Sequence, residues 1–225
     1  HLKNKSGITL EGRGCVLRAD GPVAPLWFEN CRGLAVRDLV IDRKNSFNLH
    51  GMIRAVGERS LAVGLDAAHN PEWGTWAGEL FVNLPRWRGR VEVLLEWDAA
   101  TGRPATGGDN LGGWDLHWTY ERSGPDEIVV QGPRRCTPAV GNRLMLRTHT
   151  RPAPALALSG CEGVEVMGVD IRAAGGVGLI AQRCRDFRVA SCSTTPGPAG
   201  GGLYSDLKDA THFANCAGTI TVEDC

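Results

Sequence analysis

No apolar run in this 225-residue chain approaches the ~20 residues that a bilayer-spanning helix needs, so no helical membrane span is expected. Charge of one sign is missing too. The 25 basic side chains are balanced by 25 acidic ones, which argues against long-range steering towards nucleic acid or an acidic membrane surface. Among eight cysteines there is no C-x-x-C pair, and none of the six histidines stands at ligand spacing from two cysteines, so a zinc site is not expected. The opening HLKNKS does not read as a secretion signal. Methionine is scarce at three residues, whereas thirty glycines are present, a composition that suits a β-rich, turn-rich protein of one or two domains.

What is present is a repeat led by cysteine. NCRGLAVRDLVID (Asn30 to Asp42), GCEGVEVMGVDIR (Gly160 to Arg172), RCRDFRVASCSTT (Arg183 to Thr195) and NCAGTITVEDC (Asn215 to Cys225) share one template: Cys, a polar or small pair, then apolar residues two apart. Period-two alternation predicts strands with one buried face, so Leu34 and Val36, Val164 and Val166, Phe187 and Val189, and Ile220 and Val222 are expected inside. The last unit reaches its first aliphatic residue one position late, which predicts a bulge or shifted turn there. KSGITLEGRGCVL, with Ile8 and Leu10 in the same slots, is a weaker fifth copy.

Cys161 and Cys184 are 23 positions apart and Cys184 and Cys216 are 32 apart, the surplus being the run PGPAGGG from Pro196 to Gly202. A coil of that length fits a parallel β-helix; helical repeats fit poorly, because the units lack three-to-four spacing and are rich in Val, Gly, Thr and Ser. Cys31, Cys161, Cys184 and Cys216 then fill one column and Cys192 and Cys225 a second. Such columns read as ladders of buried free thiols ahead of disulfides.

The expected organisation is two coils over 1–50, an inserted antiparallel, barrel-like β domain over 51–150, and resumed coils over 151–225. The insert holds Trp73, Trp76, Trp87, Trp97, Trp114 and Trp118, and its segments GMIRAVGERSLAVGLD, GRVEVLLEWDAATG, DLHWTYERSGPDEIVVQG and GNRLMLRTH each alternate between turns. These rings could stack on sugars, but filling the small domain's core is the preferred reading. In the coils Leu156 and Leu158 match Leu26 and Phe28, as do Leu179 and Ala181, and then Thr211 and Phe213. Trp27, Ala157, Ile180 and His212 fall on the outward side. The chain stops at TITVEDC with no capping segment, which predicts a piece of a longer protein.

The most chemically suggestive short motif is DATHF, Asp209 to Phe213, with Asp206 and Lys208 just before it. A polar corner with a capping Asp is one reading. The other is a carboxylate at the mouth of a groove. Inverting glycoside hydrolysis needs one carboxylate to activate water and a second to protonate the leaving oxygen, and stacked coils supply such pairs readily. Asp209 lies at a corner, where strand parity does not decide its direction.

GGVGLIAQRC, TTPGPAGGG and DATHFANCAGTITVEDC, with the earlier ITLEGRG and PLWFENCRGLAVRDLVID and the later VGNRLMLR, resemble the α-1,3-galactosidases of glycoside hydrolase family 110 in the same order. The resemblance implies an all-β fold, a right-handed parallel β-helix of the pectate-lyase-like solenoid type interrupted by a small barrel. It also implies an exo-acting, inverting enzyme that releases terminal α-1,3-linked galactose from glycans, such as blood group B type or linear ends, in a secreted or periplasmic bacterial protein. No metal or cofactor is implied. Carried over, the resemblance implies that Asp209 is a catalytic carboxylate acting as base, while His212, Thr211 and Gln182 are substrate contacts. Family members place an acidic pair one coil further on, and neither half is present here, so the chain by itself is expected to be inactive. Oligomeric state stays open. A non-catalytic carbohydrate-binding or structural β-helix is the rival from another class, and a polysaccharide lyase or hydrolase of another family suits the fold without its motifs.

Overall fold

A computed structural model describes residues 1–105, 111–113, 115–149, 152–197 and 209–225. Trp114, Asp206, Lys208 and residues 198–202 of the Gly/Pro run lie outside the described residues. Among those described there are strands and no helix, hence none long and apolar enough to cross a membrane. The chain divides into two compact units, His1–Lys44 with Arg151–Cys225, and Asn45–Thr150.

The first unit is built from two parallel sheets. One pairs Leu2–Lys3, Leu26–Glu29, Leu156–Ser159, Leu179–Gln182 and Thr211–Ala214 in that order. Its register is the one the sequence template implies, Leu26 to Leu156 to Leu179 to Thr211 and Phe28 to Leu158 to Ala181 to Phe213. The other pairs Ser6–Ala19, Arg32–Arg43, Glu162–Met167, Arg185–Ala190 and Ala217–Glu223. Short strands Asp170–Ile171 and Ser193–Thr194 continue from the far half of Arg32–Arg43. Between paired strands Leu34 aligns with Val164, Val164 with Phe187 and Phe187 with Ile220.

The chain turns from the first sheet into the second at residues held in the left-handed region. Asn4, Asn30, Gly160, Arg183 and Asn215 all have φ between 51° and 61°, and each is followed within three residues by another left-handed position, Gly7, Gly33, Gly163, Asp186 or Gly218. The bend recurs at the same place in each pass, so residues that tolerate positive φ recur with it; Gly and Asn fill most of the first column because they do so at least cost. Corner amides extend the ladders, Asn30 N donating to Ser159 O at 2.8 Å and Gly160 N to Gln182 O at 2.8 Å. The anticipated bulge is present between Arg185–Phe187 and Ala217–Ile220. Asp186 Oδ1 accepts the Thr219 amide at 2.8 Å there, and a Cβ on Gly218 would fall 2.1 Å from that oxygen.

Phe28, Leu34, Val36, Leu158, Val166 and Val189 are at most 1% exposed and lie in one core with Cys31, Cys161 and Cys184. Burial of such side chains stabilises by about 1.5–3 kcal/mol each. Each column thiol donates to the carbonyl two residues before it, Cys161 to Ser159 and Cys216 to Ala214 at 3.5 Å, and Cys161 also reaches Phe28 O of the preceding ladder. Cysteine fits this corner because its small side chain fills the core while its proton finds an acceptor. Cys31, Cys161, Cys184, Cys192, Cys216 and Cys225 are free thiols. The burial expected of Ile220 and Val222 is not found. They are 41% and 49% exposed, because among the described residues Ala217–Glu223 is the edge strand of its sheet, paired with Arg185–Ala190 alone.

The second unit is an antiparallel sheet in the order Thr119–Gly124, Glu127–Gln131, Ser60–Leu65, Leu49–Val56, Arg143–Thr148, Trp87–Trp97, Glu79–Leu84, Glu72–Trp76. Tyr120 N donates to Gly78 O at 2.8 Å, tying the first of these strands to the turn between the last two and nearly closing the sheet into a barrel. Leu49, Ile53, Val63, Leu80, Val82, Leu94, Ile128 and Leu144 fill its core. Trp97 and Trp118 are buried, Trp73 and Trp87 pack half-buried against the core, and Trp76 is 69% exposed, so the ring-filled core holds for four of the five described tryptophans of this unit.

Candidate functional site

The outward face of the first parallel sheet is fixed by strand parity. Leu26, Phe28, Leu156, Leu158, Leu179 and Ala181 turn inwards, so Trp27, Ala157, Ile180 and His212 form one outward row, and Glu29, Ser159 and Gln182 the next. Trp27 is 45% exposed although it lies mid-strand. Its ring stacks on His1 at 4.6 Å between centroids, and the Glu29 carboxylate is held by Lys3 at 2.7 Å. A concavity of about 500 Å³ runs along this face, lined by Val23, Trp27, Pro154, Ser159, Ile180 and Gln182 among others. An aromatic plane flanked by an amide and a hydroxyl is the combination that a sugar ring recognises, with its C–H face on the ring and its hydroxyls on the polar groups.

Asp209 stands just before the strand Thr211–Ala214. Its backbone carbonyl accepts the Gly178 amide at 2.9 Å, and Leu179 N donates to Ala210 O at 2.9 Å, so the corner is tied to the preceding ladder. The Asp209 carboxylate reaches outwards, Oδ2 lying 3.6 Å from His212 Nδ1, and the two side chains are 37% and 46% exposed. The corner residue is therefore open to solvent and lies beside the outward row, a direction that counting along the sequence did not decide.

Of the residues singled out from sequence, Asp209 and His212 are together, and Gln182 is on the same outward face, one strand over and two positions on. Thr211 is not with them. It continues the inward column after Leu179 and, exposed at the edge, lines a hollow with Leu179, Val189 and Val222. Other carboxylates on the ladders are engaged: Glu165 with Arg37 at 2.6 Å, Asp170 with Arg172 at 3.0 Å and with the Thr195 hydroxyl at 2.7 Å, and Glu223 with Arg188. Trp27 was placed outwards by the sequence but not taken as a ligand contact; an aromatic in an outward slot beside the turn GPVAP was the available signal.

One shared hydrogen bond pushes the Cys161 thiol below the ordinary thiol range and, with burial, holds Cys184 well above it, while burial pushes Cys192 up; at 1% exposure Cys161 and Cys184 are closed to a substrate.

No protein-family model matches the chain. Over its whole length it is 24% identical to the protein named Alpha-1,3-galactosidase A of Shewanella woodyi and 22% identical to Alpha-1,3-galactosidase B of Bacteroides thetaiotaomicron, covering 37% of each. Over 81 residues, 36% of this chain and 13% of the relative, it is 35% identical to Alpha-1,3-galactosidase B of Phocaeicola vulgatus. The chain thus spans little more than a third of the length of the curated relatives it matches. Matched from its first residue to its last, it is a homologue of the alpha-1,3-galactosidases, the family that its cysteine-led repeats and DATHF motif resemble.

Proposed function

We propose that the two parallel sheets are successive coils of a right-handed parallel β-helix, that the Asn45–Thr150 unit is a domain inserted between its coils, and that the full-length protein is an exo-acting, inverting galactosidase. Its substrate is a glycan with a terminal α-1,3-linked galactose, of branched blood group B type or linear, and a protein acting on such glycans works outside the cytoplasm, secreted or periplasmic. Asp209 is the base that takes a proton from the attacking water. His212, 3.6 Å from it, orients that carboxylate and with Gln182 contacts the sugar hydroxyls. Thr211 turns to the opposite side of its strand and is left out of this assignment. Inversion needs a second carboxyl group ~6.5–9.5 Å from the first, with room for a water between. We assign that acid to a part of the protein outside this chain.

The observation that carries this reading is the whole-length similarity to proteins named for this activity, at an Asp209 that is open to solvent. The groove beside Trp27 favours a second reading, glycan binding without turnover. One substitution separates the two. In the full-length protein Asp209→Asn is expected to lower turnover of an α-1,3-galactoside by about 10²–10⁴-fold, the usual range for loss of a general base, with an unchanged thermal midpoint. If the variant turns over like the parent, or if the parent has no galactosidase activity while binding the glycan, the catalytic assignment is lost. The anomer released first, followed by proton NMR, reports inversion directly.

A further inference from the structure

The Asn45–Thr150 unit carries a polar pocket that the hydrolase reading leaves unused. Arg90 and Glu92 are two apart on the strand Trp87–Trp97 and so share a face. The pairing of Phe81 with Arg90 brings Glu79, on the neighbouring antiparallel strand, opposite Glu92. Two carboxylates facing each other would repel. Arg90 lies between them, its Nη1 donating to Glu79 at 2.6 Å and its Nε to Glu92 at 2.9 Å. His149 adds a contact to Glu92 at 3.2 Å.

Tyr120 closes this cluster from the strand Thr119–Gly124. The residue is 5% exposed, and its hydroxyl, among the described residues, is buried with no hydrogen-bond partner. It lines a pocket of about 100 Å³ together with Glu79, Arg90, Glu92, His117 and Trp118. The Trp118 indole nitrogen is already committed to Pro133 O at 2.8 Å, which leaves its ring as an apolar wall. Orphaned buried hydroxyls are uncommon, because each carries a standing desolvation cost that a partner would remove.

We propose that this pocket binds one sugar residue of a glycan, with the Tyr120 hydroxyl donating to or accepting from a sugar hydroxyl and the carboxylates and guanidinium taking its neighbours. The charges select this class. A phosphate or carboxylate ligand would face both Glu79 and Glu92, and a cation would face the Arg90 guanidinium that already sits between them. A neutral polyol meets neither obstacle: its hydroxyls donate to the carboxylates and accept from Arg90, while a C–H face lies on Trp118. The hollow is small enough to admit only one edge of a single ring, not an extended chain. The site belongs to a different unit of the chain from Asp209 and its existence does not depend on hydrolysis.

Calorimetric titration of this chain with methyl α-galactopyranoside tests the proposal, using the parent and Tyr120→Phe. Saturable binding is expected in the parent, weakened about fivefold or more in Tyr120→Phe, the range for loss of one buried hydrogen bond. Since the hydroxyl has no partner without sugar, Tyr120→Phe is also expected to melt at or above the parent's midpoint when no sugar is present. The site is refuted by an absence of saturable binding, or by binding that Tyr120→Phe leaves intact. A lowered midpoint in Tyr120→Phe refutes it equally, because the hydroxyl would then be a structural partner.

Discussion

Gly160 and Arg183 occupy the same corner one ladder apart, at φ of 61° and 53°. For an L side chain the left-handed region costs about 1–2 kcal/mol, less for Asn, whose amide bonds locally. A methyl group on Gly160 would also come within 2.4 Å of Asn30 Oδ1. Gly160→Ala is therefore expected to destabilise the protein by about 1–2 kcal/mol. Arg183→Asn copies what Asn30 and Asn215 do in the same column and is expected to stabilise by up to about 1 kcal/mol. Denaturant midpoints of the two variants, moving in opposite directions, check the idea; equal shifts would remove it. The thiols give a second test at this scale. Cys15 and Cys225 are exposed, whereas Cys31, Cys161 and Cys184 are at most 1% exposed. A thiol reagent added to the native protein should modify Cys15 and Cys225 at once and the other three only in denaturant, as mass mapping of the labelled peptides would show.

Strands in the antiparallel unit are held by a few buried polar ties as well as by their apolar faces. Glu96, 2% exposed on the strand Trp87–Trp97, accepts the Ala139 amide at 2.8 Å and the Asn142 side-chain amide at 2.7 Å, and so pins the loop before Arg143–Thr148. Removing the acceptor breaks both ties, although Ala139 is exposed and Asn142 half-buried, so water can reach the freed donors in part. Glu96→Ala is expected to cost about 1–3 kcal/mol, read as a lower thermal midpoint, and no loss would mean that water replaces the carboxylate. Element recognition from sequence succeeded where alternation was bounded by ordinary turn residues, as at Leu49–Val56, Trp87–Trp97 and Arg143–Thr148. It missed the hairpin of Glu72–Trp76 with Glu79–Leu84, whose turn uses Ala77 and Gly78 at φ of 51° and 78°. Such a turn normally announces itself with Asn or Asp before Gly, and Ala in that position hides it. The Arg90 cluster was overlooked for a related reason. Arg90 and Glu92 are visible as a same-face pair, but the strand that brings Glu79 to them was not.

At the scale of the molecule, acid sensitivity should reflect the antiparallel unit. Asp98 is held below the usual carboxylate range by the backbone and side chain of Thr101, and Asp115 by the Arg135 guanidinium 2.6 Å away. A depressed folded-state value means that the stabilisation is present above the unfolded-state value near 4 and is lost as pH falls through the folded-state value. The thermal midpoint is thus expected to fall as pH is lowered below about 4, and the fall should shrink in Asp98→Asn and Asp115→Asn. A midpoint flat through that window would contradict the assignment.

The parallel register of the Cys-led segments was determined by the sequence alone. Side chains two apart share a face, and the corner residues Asn30, Gly160, Arg183 and Asn215 recur at a fixed distance before each strand, so aligning the cysteines aligns the strands. Only tertiary structure decided the rest. Asp209 sits at a corner, where a non-extended residue breaks the parity that predicts side-chain direction, and its carboxylate was placed beside His212 by the ladder bonds from Gly178 and Leu179. The pocket around Tyr120 joins strands some forty residues apart in the chain, and no local pattern records which strand will lie next to which, because that choice is made by the packing of their buried faces.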